Sequence, residues 1–248
     1  MNILVCISRV PDTASRIFVG TDGKTIDTQG IKFVVNPYDE FALEEALRLR
    51  EKNGGTVTAV VVDKDVAKDV LRTALAMGVD KATLIKAKDN FDSYYVAKNL
   101  AKYAQQIKPD LIFVGRQSVD YDSRFIASAL AELLNLPSVS VVSKLTVEND
   151  KIIAERDIEG GKEIVEAKLP CVISAQKGLN EPRYPKLPDI MKAKSKPIEE
   201  IEGLDVTNKV TILEMSIPTK QRIGKILGSE DSDIEELVKL LHEEAKVI

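Results

Sequence analysis

Short apolar, β-branched runs alternate with amphipathic helical patterns through the first two-thirds of the chain, and this alternation most constrains the fold. Runs at residues 3–7, 57–62, 82–85, 111–114 and 139–142 predict strands that are buried on both faces. Strands of this kind, separated by helices, form a parallel sheet that helices cover on both sides. The sequence therefore predicts the α/β class.

The helical patterns between these runs carry start and stop signals. Asn36 and Pro37 predict a helix start, with Asn36 as the N-cap, and Gly54 is placed to end that helix. Later apolar stripes predict three more helices, at residues 66–77, 96–107 and 126–134. Each stripe is expected to pack one helix face onto the sheet.

The pattern changes in the last third of the chain. Three short alternating segments, separated by Asn-Asp and Gly-Gly turns, predict an antiparallel hairpin insertion: 144–147, 152–157 and 163–167. After Pro197 we predict an irregular C-terminal arm. A last amphipathic helix is predicted to open on a capping box formed by Ser232 and Glu235.

Composition excludes several functional classes. The 248 residues are 30% charged with a net charge of −4, which indicates a globular protein without nucleic acid as its main partner. No apolar run approaches the roughly 20 residues of a membrane helix. The chain starts with the strand-like run MNILVCI, so we expect no secretory signal and a cytoplasmic location. Cys6 and Cys171 lie in apolar runs, which predicts buried thiols and no metal site.

His242 is the only histidine of the chain, and it lies in a polar C-terminal segment. No nucleophile motif accompanies it, so a Ser-His-Asp or Cys-His mechanism is not predicted. We therefore assign no catalytic residue and favour a carrier or binding module over an enzyme.

Ligands of open parallel sheets bind beyond the carboxyl ends of the strands, where the strand order reverses. The candidate loops here are 8–13 and 115–123. Gly115 permits a close backbone approach, and Asp122 or Ser123 can cap the helix that follows. Free N–H groups at that helix start would suit a phosphate.

Charged side chains in the same loops add to this prediction. Arg9, Arg116 and Arg124 could donate to a phosphate, and Asp120 could accept from ribose hydroxyls. The combination favours a mononucleotide site. Neither Gly-rich phosphate motif, GxGxxG or GxxxxGK[ST], is present.

The stretch LNEPRYPKLPDIMKAK, residues 179–194, combines three prolines with apolar and basic side chains. Because each proline restrains the backbone and removes a donor, we expect no regular helix or central strand before Asp189. A stiffened loop with apolar groups among cations suits a surface that meets another protein. An ordinary proline-rich connector is the alternative.

The chain resembles the β subunit of electron transfer flavoprotein across nearly its whole length. The resemblance rests on segments at 9–12 and 36–40, the ALEEALRL run that follows, TALAMG at 73–78, GRQSVDYDS at 115–123, IEGGKE at 158–163, and LNEPRYPKLPDIMKAKSKP from Leu179. The last segment is long and unusual in composition, so we treat it as the most specific.

This resemblance implies a nucleotide α-hydrolase or universal-stress type of α/β domain over residues 1–197, with a recognition loop at 176–194. It implies a C-terminal arm over 198–248 that packs on an α subunit, which holds most of the FAD. The β subunit is expected to carry a structural AMP. Its function would be to carry electrons from acyl-CoA or other flavin dehydrogenases to a membrane quinone oxidoreductase, without substrate turnover of its own.

Residues carried over from the resemblance form two sets. Those expected to line the adenine nucleotide are Cys6, Asn36, Pro37, Tyr38, Asp39, Val62, Gly115, Arg116, Gln117, Ser118, Val119, Asp120, Tyr121, Asp122, Ser123, Arg124, Phe125 and Ile126. Tyr38 would lie toward the flavin. Those expected to dock on dehydrogenases are Leu179, the proposed anchor, with Asn180, Glu181, Pro182, Arg183 and Tyr184.

One departure from the family pattern bears on the nucleotide. After Asp122 the family commonly has small polar residues around the phosphate, whereas this chain has Ser123, Arg124, Phe125 and Ile126. We therefore favour AMP, or a weakened site, over the second FAD of the electron-bifurcating subclass. A stand-alone nucleotide-binding module of the stress-protein type is the other alternative, although such a module needs neither the docking loop nor the arm.

Overall fold

A computed structural model describes residues 1–88, 91–218 and 224–248. Its strands are β1 (Asn2–Cys6), β2 (Arg9–Pro11), β3 (Phe33–Val35), β4 (Thr56–Asp63), β5 (Lys81–Lys86), β6 (Leu111–Gly115), β7 (Ser138–Glu148), β8 (Lys151–Ile158), β9 (Gly161–Lys168), β10 (Cys171–Ala175) and β11 (Glu199–Glu202). Its helices are α1 (Pro37–Asn53), α2 (Lys68–Met77), α3 (Ser93–Ile107), α4 (Phe125–Leu134), α5 (Leu187–Ser195) and α6 (Asp231–Glu243).

Within these residues a nine-stranded sheet runs in the order β11-β5-β4-β1-β6-β10-β7-β8-β9. Pairing is parallel from β11 through β7, and the β7-β8-β9 end is antiparallel. Strands β2 and β3 form a separate antiparallel pair. The α/β class and the hairpin insertion predicted from the sequence are both confirmed.

Helices cover both faces of the parallel part. Along β1, Ile3 and Val5 join the core beneath α1 and α2, while Leu4 and Cys6 join the core beneath α3 and α4. All four side chains are buried. A period of two therefore sends alternate residues of one strand into different cores, which explains why the run is apolar throughout.

The predicted helix signals meet mixed outcomes. Gly54 ends α1 with φ of 73°, and its N–H donates to the Arg50 carbonyl, as predicted. Asn36 is the N-cap residue and α1 begins at Pro37, as predicted, but the Asn36 side chain makes no capping hydrogen bond. The stripe predicted from Val66 starts later, because a 3₁₀ turn spans Asp65–Ala67 and Val66 is 57% exposed.

Strand β7 is one continuous strand, whereas the sequence predicted two separate segments in this region. Its first half pairs with β10 and its second half with β8, and the register shifts near Val142. Val141 has a φ of 61° next to that shift. A local bulge of this kind lets one strand leave a parallel pairing and enter an antiparallel one.

Three expectations for the last third of the chain are wrong in detail. The chain after Pro197 is not irregular at once, because β11 pairs in parallel with β5 at the sheet edge. Helix α5 begins before Asp189, since a proline is accepted in the first turn. The capping box of α6 is formed by Glu230 and Asp233 instead of Ser232 and Glu235.

Strand β11 was hard to predict because it is four residues of largely acidic sequence, EEIE. Glu200 makes it compatible with the sheet edge, since its carboxylate lies 2.7 Å from both Lys68 Nζ and Lys86 Nζ. No helix in ranges 1–88, 91–218 and 224–248 is long and apolar enough to cross a membrane.

Candidate functional site

The strand order reverses at β1. From β1 the chain builds outward through β4 and β5, and then crosses to β6 on the opposite side of β1. The carboxyl ends of β1 and β6 therefore open a crevice of the kind in which α/β proteins bind nucleotides. The two loops predicted as candidates, 8–13 and 115–123, both begin there.

Asp39 joins the two loops to the start of α1. Its carboxylate accepts hydrogen bonds from the Ser8 N–H and Ser8 Oγ–H, each at 2.7 Å, and from the Gly115 N–H at 2.9 Å. Burial raises the pKa of Asp39 to about 6, although the bonds from Ser8 oppose that shift. The resemblance implied a nucleotide contact for Asp39, and no local sequence signal indicated this link across the crevice.

The same contact between Asp39 and the end of β6 requires a glycine at position 115. A Cβ on Gly115 would lie 2.3 Å from Asp39 Oδ1 and 2.8 Å from the Asp39 backbone nitrogen. The predicted close approach is therefore present, but the group that approaches is the first turn of α1. A glycine at the end of β6 lets that helix start reach the crevice.

Asn36 holds the loop that follows β6. Its Nδ2 donates to the Gln117 carbonyl at 2.9 Å, and its Oδ1 accepts from the Val119 N–H at 3.2 Å. The side chain is 1% exposed. Because these two hydrogen bonds occupy the Asn36 side chain, it does not cap α1.

The loop is also closed on itself. The Ser118 N–H donates to the Ser123 carbonyl at 3.1 Å, and Asp122 adopts a left-handed φ of 50°. Gln117 donates to Asp122 Oδ1 at 2.8 Å and accepts from Arg124 Nε at 3.1 Å. These bonds give the 115–124 segment a defined shape around the crevice.

Helix α4 begins differently from the prediction. Its N-cap is Arg124, not Asp122 or Ser123, and no side-chain capping bond is present there. Ser123 Oγ makes only a long 3.4 Å contact with the Phe125 N–H. Backbone donors at this helix start are therefore available to an anionic group.

The three candidate arginines have different partners. Arg9 pairs with Asp69 at 3.0 Å and lies 3.8 Å above the Phe33 ring, so it is already engaged. Arg124 contacts the loop itself, as described above. The guanidinium of Arg116 lies 5.9 Å from the Tyr38 ring centroid.

Arg116 also meets β10. It donates to Gln176 Oε1 at 3.3 Å, and its buried Nε has no hydrogen-bond partner among the described residues. Arg116 and Tyr38 therefore mark the β10 side of the crevice.

The other predicted residues differ in burial, and Ile126 packs partly buried against the core beneath α3 and α4. Cys6 and Val62, at the ends of β1 and β4, are 5% and 6% exposed. Burial, followed by the Asp39 charge, raises the pKa of the Cys6 thiol, which makes this thiol a poor nucleophile. Tyr121 and Phe125 stand on the rim with 68% and 44% of their surface exposed.

The predicted docking residues divide between the protein body and the surface. Leu179 is half-buried and packs against the core beneath α1. Asn180 is 7% exposed, and Arg183 forms ion pairs with Glu44 and Glu51 of α1. Tyr184 is almost fully exposed.

Three exposed apolar residues of this region lie outside the predicted docking set. Leu187, Ile190 and Met191, on α5, are 72%, 39% and 58% exposed. The spacing of four residues between Leu187 and Met191 is a helical signal, and the proline at position 188 masked it. The exposed apolar face of this region therefore extends from Tyr184 to Met191.

Comparisons with known proteins agree with this architecture. The family model described as "Electron transfer flavoprotein domain" matches residues 23–205. The chain is similar to the electron transfer flavoprotein subunit beta of Bacillus subtilis (strain 168), with 44% identity over 259 aligned residues covering 100% of both chains.

Relatives from eukaryotes are similar at nearly full length. The mitochondrial subunit beta of Arabidopsis thaliana is 38% identical over 255 residues, covering 100% of both chains. The Homo sapiens subunit beta is 38% identical over 241 residues, covering 93% of this chain and 94% of the relative. The chain thus belongs to the electron transfer flavoprotein family, among its β subunits.

Proposed function

We propose that this chain is the β subunit of a heterodimeric electron transfer flavoprotein and works as an electron carrier without substrate turnover of its own. The observation that carries the proposal is the full-length similarity to proteins named as that subunit. Exposed apolar side chains on α6 (Ile234, Leu237 and Val238) and between Tyr184 and Met191 support a protein that works in contact with others.

We place an adenine nucleotide in the crevice between β1 and β6. The buried Cys6 and Val62 would form an apolar floor for the base, and the exposed Asp120 would accept from ribose hydroxyls. The backbone donors at the start of α4, together with Arg124, would hold the phosphate. Asp39 and Asn36 keep these elements together.

The flavin itself is assigned mainly to the α subunit. Bound FAD would supply the group that accepts and releases electrons. Tyr38 and Arg116 are the residues of this chain that we place toward it, because both lie at the open β10 side of the crevice. Their role would be to orient and exclude water from that side.

AMP is favoured over a second FAD in the crevice. Phe125 is a bulky rim residue at a position where the resemblance implies a small polar one, and Tyr121 is a second bulky residue nearby. We expect these side chains to leave less space for a dinucleotide. A second FAD, as in the bifurcating type, is the alternative that this argument disfavours.

Co-expression with the α subunit tests the assignment. We expect a yellow 1:1 complex that releases one FAD and one AMP per heterodimer when it is denatured and the nucleotides are separated by chromatography. Two FAD and no AMP would support the bifurcating type. A colourless chain that ignores the α subunit would support the stand-alone nucleotide module and contradict the proposal.

The exposed face from Tyr184 to Met191 is proposed as the surface for the flavin dehydrogenases that donate electrons, which are then passed to a membrane quinone oxidoreductase. Lys186, Lys192 and Lys194 surround this face and are exposed. Leu187 suits the role of anchor better than Leu179, because 72% of its surface is free whereas Leu179 packs against the core.

The matched variants Leu187→Ala and Leu179→Ala separate the two leucines. Removing an anchor that fills a partner pocket costs about 2 kcal/mol or more. We expect Leu187→Ala to raise the dehydrogenase concentration for half-maximal electron transfer by about 30-fold. Leu179→Ala should mainly lower stability, and the reverse result would restore Leu179 as the anchor.

A further inference from the structure

One face of α1 carries a row of polar groups that meets the segment 180–183. The groups recur every three or four positions, which places them on a single stripe of the helix. They are the Phe41 carbonyl and the side chains of Glu44, Glu45, Arg48 and Glu51. Helix α1 therefore contacts the start of the docking loop along about three turns.

Arg183 makes the densest of these contacts. Its Nε and Nη2 donate to the two oxygens of Glu44 at 2.7 and 3.1 Å. Its Nη1 and Nη2 donate to the two oxygens of Glu51 at 2.6 and 3.1 Å. The backbone N–H of Arg183 also donates to Glu44 Oε2 at 3.2 Å. One guanidinium thus binds two carboxylates, each through paired bonds.

Glu44 makes this contact necessary. Its side chain is only 3% exposed, so a charge there must be compensated by the protein. Burial alone would raise the pKa of Glu44, but hydrogen bonds from Arg183 and Arg48 outweigh burial and lower the pKa. The carboxylate is therefore ionised, and Arg183 is one of its two cationic partners.

Other contacts fix the same segment. Asn180 Nδ2 donates to the Phe41 carbonyl at 3.0 Å and to Glu45 Oε2 at 2.9 Å. Arg48 Nη2 donates to the Glu181 carbonyl at 3.3 Å. Next to this tightly held segment, Tyr184 is 94% exposed and Leu187 is 72% exposed. The loop is therefore held against α1 before Tyr184, and its apolar side chains from Tyr184 onward are exposed.

We propose that Arg183 is a positioning residue, which holds segment 180–183 on α1 through Glu44 and Glu51 and so keeps the Tyr184–Met191 face ready for docking. The partner it serves has an apolar pocket with an acidic rim, which matches Leu187 and the exposed lysines. Holding the loop in its docking shape beforehand reduces the entropy lost on binding. This inference rests on the docking function proposed above.

The test uses the complete αβ complex with Arg183→Gln. We expect faster amide hydrogen exchange in peptides covering 180–187 and a dehydrogenase concentration for half-maximal electron transfer that rises about tenfold, or about 1.4 kcal/mol. The limiting rate and the flavin content should stay unchanged, because Arg183 lies outside the nucleotide crevice.

Two further variants keep the test decisive if Arg183→Gln folds poorly. Glu51→Gln removes the exposed half of the contact and leaves Glu44 paired, so we expect a smaller change in the same direction. Lys186→Gln removes a cation from the same loop without touching α1, and should leave the exchange of 180–187 unchanged. The double variant Arg183→Gln/Glu51→Gln should match Arg183→Gln alone, because Arg183→Gln already removes the contact through which Glu51 acts.

Two results would overturn the inference. The first is unchanged exchange of 180–187 in Arg183→Gln. The second is faster exchange with unchanged docking while Leu187→Ala still weakens docking, since the loop would then dock without being held. If Leu187→Ala also leaves docking unchanged, the docking function itself is wrong, and the inference falls with it.

Discussion

At the scale of single residues, Asp39 and Gly115 form an interlocked pair. The buried carboxylate of Asp39 accepts from both crevice loops, and the absence of a side chain at Gly115 lets the helix start approach. Three donors on a buried carboxylate hold it in one orientation. The shape of the crevice therefore depends on two positions that need not touch a ligand.

The first prediction concerns Gly115→Ala. Its φ is not in the left-handed region, so the cost comes from the Cβ, which would collide with Asp39 at 2.3 Å. We expect the free energy of unfolding to fall by about 2 kcal/mol or more in urea titrations. Gly161→Ala is the matched control, because its Cβ would meet nothing within 4 Å. Equal stability of the two variants would contradict the close approach.

The second prediction concerns the pH dependence of Asp39. Because burial raises its pKa from 3.8 to about 6, the folded state binds the proton more tightly than the unfolded chain. This contribution to stability is present below pH 4 and is lost as the pH rises through 6. The unfolding free energy therefore loses about 2 kcal/mol of this contribution between pH 4 and pH 7.

Asp39→Asn removes this titration and provides the measurement. The difference in unfolding free energy between the wild type and the variant should be about 2 kcal/mol larger at pH 4 than at pH 7. All other titrating groups are common to both chains and cancel. A difference that is constant over this range would show that Asp39 ionises normally.

At the scale of elements, α1 and α3 each have two structural roles. The first turn of α1 organises the crevice, and its outer stripe holds the docking loop. The N-cap of α3, Asp92, accepts from the Tyr95 N–H at 2.8 Å and from the backbone N–H groups of Lys209 and Val210 at 2.6 and 2.9 Å. One carboxylate thus starts a helix and fixes the beginning of the C-terminal arm.

The third prediction follows from this shared carboxylate. Asp92→Ala should lower the free energy of unfolding by about 1–2 kcal/mol, as expected for a lost N-cap. It should also speed hydrogen exchange at residues 207–212, which an isolated cap would not affect. Asp205→Ala is the control, because Asp205 lies in the same arm and, within the described residues, makes only an exposed ion pair with Lys88. If exchange in the arm is unaffected by Asp92→Ala, this carboxylate does not hold the arm.

At the scale of the whole molecule, the start of the C-terminal arm joins the sheet as β11, and helix α6 lies near the end of the arm. No residue of α6 is buried, although Ile234, Leu237, Val238 and Leu241 share one face. An apolar stripe of this kind stabilises a helix only when it is covered. A partner chain is the cover that the proposed heterodimer provides.

The fourth prediction tests this cover. Leu237→Ser with Val238→Ser should leave the unfolding free energy of the isolated chain within about 0.5 kcal/mol of the wild type. Loss of both apolar contacts should weaken association with the α subunit by about 100-fold, as measured by titration of the two subunits. Glu243→Gln, on the opposite face of α6, should leave association unchanged. A stability loss in the isolated chain would instead show that α6 packs on its own sheet.

Local patterns predicted much of this architecture. Runs at residues 3–7 and 111–114 indicated strands buried on both faces, and each was confirmed, because a two-sided core demands apolar residues at every position. The order of the predicted strands along the chain then located the crevice at the carboxyl ends of β1 and β6. Strand β11 was missed because one isoleucine among three glutamates is a weak apolar signal, and Glu200 pairs with Lys68 and Lys86, which lie on other elements.

By itself, the sequence determined the α/β class, the two crevice loops and the family resemblance, since these rest on periodicity and on contiguous motifs. The tertiary structure alone decided what individual polar side chains do. Asn36 occupies the predicted N-cap position of α1, but its side chain holds the loop after β6, and the side chain of Arg183, predicted as a docking residue, pairs with α1. A side chain's partner is set by which elements the fold brings within 3 Å, and residues separated by more than 80 or 130 positions carry no local trace of that meeting.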